Sequence, residues 1–188
     1  MTEITELHRR ALADTGHVVS GIDASQLDLP TPDADWDVRA LLNHLVSGNL
    51  WAAELASGRT IEEVGHRLDG DLLGPDPAAA YDRSAAAAAA AFEARGALDA
   101  PCAVSYGPVP GSVYAGHRFL DVLVHGWDLA AATEQDATLD PALAEACIQL
   151  VEPQVEAFRA AGAIGPAVAA PPGADTQTRL LAMLGRRA

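Results

Sequence analysis

Apolar residues recur at helical spacing through most of the chain, and the breaks between periodic stretches mark out the elements. Ile4, Leu7, Leu12 and Val18 place a first helix from about Thr2 to Ser20, ended by Gly21. Prolines and aspartates from Asp28 to Asp33 read as a loop. Val38, Leu41, Leu42, Leu45 and Ala52 then predict a helix from Val38 to Ala56, with Asp37 as its cap and Gly58 as its stop. Residues 61–73 suit a short helix plus a loop. Asp76-Pro77 opens a third long helix, which runs through seven consecutive alanines, Ala85 to Ala91, to about Arg95.

The pattern changes at Pro101. Val104, Tyr106 and Val109 alternate with Gly107, Pro108, Pro110 and Gly111, predicting an extended, turn-punctuated connection over 101–111. Another helix is expected from about Ser112 to Thr133. A further one runs from Pro141, capped by Asp140, to about Ala160, with Pro153 kinking or splitting it. After a Pro/Gly segment, Thr176 to Leu184 forms a short closing helix. With four main helices, few strand signals and no βαβ alternation, the expected fold is an all-α four-helix bundle with short extra helices.

Composition bounds what such a bundle does. The 188 residues, taken as one domain, carry a formal charge of −14 with a pI near 4.6. Alanine is about a fifth of the chain, which favours helices. Lysine is absent, so Schiff-base and P-loop chemistry are excluded. The acidity argues against nucleic acid as partner, and no apolar run approaches a membrane span. The N-terminal stretch lacks a signal-peptide layout, so a cytoplasmic protein is expected. Cys102 and Cys147 are too few for a disulfide framework; the first is read as a loop residue, the second as packing.

The segment from His117 to Asp128 holds the densest chemistry. At about 100° per residue, His117, Asp121, His125 and Asp128 share one arc of a helix. A carboxylate and an imidazole four residues apart form half of a metal site. His117 and His125 both stand four residues from Asp121, but about 12 Å of helix rise separates them, so at most one joins it. His44, at the edge of its helix's apolar stripe beside Leu41, Gly48 and Trp51, faces the bundle interior or its rim. His8, His17 and His66 sit among charged or loop residues without a comparable setting. Periodicity alone fits a solvent face for the arc, and a hydrogen-bonded core role for His44, as well as it fits a site. Trp36, Trp51 and Trp127 read as packing anchors.

Trp36-Asp37-Val38, Leu41-Leu42-Asn43-His44-Leu45-Val46 and Asp121-Val122-Leu123-Val124-His125-Gly126-Trp127-Asp128-Leu129-Ala130 resemble the actinobacterial metal-binding branch of the DinB-like superfamily. That branch is similar to the N-terminal domain of mycothiol-dependent maleylpyruvate isomerase. Tyr106 to Gly111 and Arg179 to Arg186 carry the resemblance further, so it spans essentially the whole chain. It implies a DinB-type bundle with a divalent metal, usually zinc or nickel, held by His44, Asp121 and His125. Asp121 stands where the isomerase has Glu and many relatives have His, so the shorter acid binds either directly or through a water. The isomerase has a further C-terminal domain, and the present residues are expected to hold the metal-binding domain alone.

The resemblance further implies a low-molecular-weight thiol such as mycothiol as cosubstrate. The thiol is activated as thiolate and attacks an electrophilic substrate, in S-transfer or thiol-assisted isomerisation. Asp128 is expected to orient a ligand, and Asn43, His117 and Arg118 to contact substrate. For Arg118 the competing reading is a surface salt bridge. Two further classes stay open: a metal-binding stress-response or interaction protein without turnover, and hydrolysis, for which no separate general base is apparent. A homodimer is compatible with all three.

Overall fold

The computed structural model describes residues 3–33 and 36–187, and the chain divides into two compact units, Met1–Asp136 and Ala137–Ala188. In the first unit two of the four long helices begin at an aspartate whose side chain caps the first turn. Helix α1 spans Ile4–Ser20; Thr2, expected to open it, lies outside the described residues. Its buried face is His8, Ala11, Leu12, Thr15 and Val19, spaced by three and four residues. Leu7 and Val18, expected on the apolar stripe, are only half-buried, because the seam follows His8 instead.

Helix α2 spans Val38–Ala56, as expected, with the Asp37 carboxylate accepting the Ala40 N–H at 2.8 Å. Beyond it Gly58 takes φ +88°, a left-handed conformation that suits glycine. Thr60 and Glu63 cap each other reciprocally around the single turn α3, Ile61–Val64. Helix α4, Pro77–Glu93, starts with proline in the first turn and the Asp76 carboxylate on the Ala79 N–H. It ends two residues before Arg95 because Ala94 is already extended.

The extended connection forms a hairpin. Strands β1, Pro101–Val104, and β2, Gly107–Pro110, pair antiparallel with Cys102 opposite Val109. Strand alternation turns Cys102 and Val104 inward, so Cys102 is a buried strand residue rather than a loop residue. Helix α5 follows at once over Gly111–Ala132. A Cβ at Gly111 would lie 2.0 Å from the Ala97 carbonyl oxygen, so only glycine fits at this start.

Helices α1 and α2 each pack against both α4 and α5, so the four form a closed ring in the order α1, α5, α2, α4. Leu41, Leu45, Tyr81, Phe119 and Val122 fill its centre. Polar groups between helices are paired across them: Tyr81 donates to the Leu12 carbonyl at 3.1 Å, and Thr15 to that of Val122 at 3.0 Å.

In the second unit, Asp140 caps α6, Pro141–Val151, through the amides of Ala142 and Leu143. Pro153 splits the long helix expected here. A 3₁₀ turn at Glu152–Gln154 intervenes before α7, Val155–Ala160. Helix α8, Thr176–Met183, is capped by Asp175 and packs on α6. Among the described residues no helix is long and apolar enough to cross a membrane.

Candidate metal centre

Helix α5 supplies Asp121 and His125 four residues apart on one face, and α2, packed beside it, supplies His44. Asp121 Oδ1 lies 3.2 Å from His44 Nε2 and 3.6 Å from His125 Nε2. One ligand atom from each residue falls within 4.8 Å of the others, an arrangement able to hold a cation. The two imidazoles meet edge to face, with centroids 5.2 Å apart at 81°.

Two of the three ligand candidates, His125 and Asp121, are held from behind. The fully buried Asp128 carboxylate accepts the His125 Nδ1–H at 3.0 Å, which leaves the Nε2 lone pair facing Asp121 and His44. On the other side of Asp121, Arg118 NH1 donates to Oδ2 at 2.8 Å. Burial alone would raise the Asp121 carboxyl's pKa. Arg118, His125 and His44 together outweigh that and hold it well below the usual carboxylate range.

Trp36 closes the imidazole side. Its ring lies 4.5 Å from that of His44 and 5.6 Å from that of His125, with tilts of 31° and 55°. Thr31 fixes it, because its hydroxyl and its amide both donate to the Trp36 carbonyl, at 2.8 and 3.3 Å. The same loop brings Asp33 near His125 and Asp128, with ligand atoms again within 4.8 Å.

The remaining candidates divide. Arg118 is buried inside the bundle with Asp121 and Asn49, so it is neither a surface salt bridge nor turned out toward substrate. Asn43 faces away from the three ligand candidates: it donates to the Gly70 carbonyl at 3.0 Å and accepts the Leu72 N–H at 2.8 Å, bracing the loop beyond α3. His117 pairs with the hairpin's exposed Tyr106, its Nδ1 2.6 Å from the phenol oxygen, one helical turn before Asp121. His66 is exposed and bonds Asp69.

His8 departs from expectation most. Although flanked by charged residues, it is 1% exposed and packs edge-on against Phe92 at 5.3 Å. Burial first, and the Arg118 charge second, lower its pKa from 6.5 to about 3. Its spacing to Ala11, Leu12 and Thr15 was the signal for this. Asp33 had only its place in the loop before α2 to mark it, whereas Trp36, read as a packing anchor, was also marked by the Trp36-Asp37-Val38 motif.

Comparison with known proteins bears on the family and the fold. The family model for the mycothiol maleylpyruvate isomerase N-terminal domain matches residues 8–130. Uncharacterized proteins of two Mycobacterium tuberculosis strains are each 38% identical over 159 residues, covering 82% of this chain and 81% of theirs. Two crystal structures of mycothiol-dependent maleylpyruvate isomerase, one of them a histidine-to-alanine mutant, superpose with TM-scores of 0.61 and 0.63. They share 17% and 16% identity with it and cover 81% of this chain and 68% of theirs, a likeness of fold. The family model's match, over more than half of the chain, places it in the mycothiol maleylpyruvate isomerase N-terminal domain family.

Proposed function

We propose that His44, Asp121 and His125 hold a divalent metal ion, zinc or nickel, and that the protein is a metal-dependent enzyme using a low-molecular-weight thiol such as mycothiol. The observation that carries the reading is the convergence of two imidazole nitrogens and one carboxylate oxygen from two helices. The donor set fits: Asp128 takes the proton-bearing nitrogen of His125, so its other nitrogen is a lone-pair donor. Three protein donors rather than four is the pattern of a catalytic rather than a structural site. A divalent ion there supplies a Lewis acid that favours thiolate over thiol.

The chain's own thiols are unsuited to be the nucleophile. Cys147 is buried with its pKa pushed up to about 12, and burial also raises that of Cys102. The sulfur therefore comes from a cosubstrate, as the family membership suggests. Trp36 shields the imidazoles from water on one face, and Arg118 holds the Asp121 carboxylate in place. An electrophilic small molecule is then the acceptor, by S-transfer or thiol-assisted isomerisation.

The test has two arms with metal-loaded protein and mycothiol: loss of thiol to an activated alkene, which reads S-transfer, and conversion of maleylpyruvate to its trans isomer with the thiol regenerated, which reads isomerisation. Turnover is expected to need both metal and thiol, and to be lost in His44→Ala. Stoichiometric metal without any thiol-dependent turnover contradicts the enzymatic part and leaves a metal-binding protein.

A further inference from the structure

Only one carboxylate oxygen of Asp121 faces the imidazoles; the other is occupied by a guanidinium buried in the bundle. Arg118 NH1 donates to Asp121 Oδ2 at 2.8 Å, and NH2 to Asn49 Oδ1 at 3.2 Å. Asn49 donates in turn to the Ser84 hydroxyl at 3.3 Å, which donates to the Tyr81 carbonyl at 2.8 Å. The fork of Arg118 is thereby tied to α2 and α4 as well as to its own helix.

The space for it comes from a missing side chain. A Cβ on Gly48 would lie 2.3 Å from Arg118 NH1 and 2.6 Å from Cζ, closer than real atoms approach. Gly48 stands one turn beyond His44 on α2. One strip of that helix thus presents an imidazole to Oδ1 and a gap for the guanidinium that holds Oδ2.

We propose that Arg118, seated over Gly48, is a positioning residue that confines Asp121 to a single ligand oxygen, Oδ1. The inference rests on the metal centre proposed above. A carboxylate with both oxygens free binds a cation through one or two of them. With Oδ2 taken by a charge-assisted hydrogen bond, only one oxygen is offered. The glycine is then a requirement of the site and not of helix packing.

Cobalt(II) absorption tests this, because coordination number sets the intensity of the visible bands. Protein freed of metal is loaded with cobalt(II) chloride, with folding checked by circular dichroism. Arg118→Met is expected to lose visible intensity as Oδ2 enters the coordination sphere. Gly48→Ala, which keeps every donor and only pushes the guanidinium aside, is expected to give the same change. It also serves if Arg118→Met does not fold. Arg118→Lys, which can offer one charged donor to Oδ2 but not a second to Asn49, is expected to recover part of the intensity lost in Arg118→Met. Gly16→Ala is the control, since its Cβ would meet only Tyr81 at an ordinary 3.5 Å. Wild-type intensity in folded Gly48→Ala or in folded Arg118→Met overturns the positioning role and leaves the metal centre standing. Absence of cobalt binding by the wild type overturns the metal centre itself.

Discussion

His8 shows what a single buried imidazole does to stability. The folded protein keeps it neutral down to about pH 3, whereas the unfolded chain takes up a proton near its usual 6.5. Stability is therefore fully present above that value and falls with pH across the window, by up to ~1.4 kcal/mol per unit from this residue. Between pH 7 and 5, His8→Leu is expected to lose ~2 kcal/mol less than the wild type in denaturant unfolding. Parallel losses in the two proteins contradict it. At this scale the sequence was partly legible. The spacing of Asp121 and His125 marks a pair on one helix face. His44 as their companion rests on its place at the edge of an apolar stripe and on family resemblance, because no spacing rule links α2 to α5. The burial of Arg118 was hidden, since it depends on Gly48, which looks like any helix glycine until its neighbour is in place.

Elements were read more securely where caps and breakers act locally. Asp37 and Gly58 bound α2, and Pro153 splits the last long helix, because each works within a turn of itself. The hairpin was missed as a sheet because a pair of four-residue strands shows no long alternation. Close helix contacts are equally invisible in sequence, and Gly126 is the clearest case. A Cβ there would fall 2.2 Å from the Thr15 hydroxyl and 3.1 Å from the Thr15 Cβ, so α1 and α5 approach over this glycine. Gly126→Ala is expected to destabilise the protein by about 1–3 kcal/mol, read as a lowered denaturant midpoint. Unchanged stability contradicts that tight contact. The alanine run of α4 carries no such constraint. Among its residues Ala88 lies in the core, and Ala86→Ser at an exposed position is expected to change stability by less than about 1 kcal/mol.

At the scale of the whole molecule, the acidic and lysine-free chain concentrates a set of candidate cation ligands at the α2–α5 junction. An ion bound there binds the folded ring of helices and not the unfolded chain, so it stabilises by mass action. At free metal 100 times the dissociation constant the gain is about 2.7 kcal/mol, seen as a rise in Tm. The rise is expected to vanish in His44→Ala and to persist in His66→Ala, whose ring is exposed beside Asp69. Elemental analysis of protein purified without a histidine tag tests the centre most directly. The expected result is one divalent ion per wild-type chain, near-complete loss in His125→Ala and full retention in His66→Ala. Full metal occupancy in folded His125→Ala contradicts it.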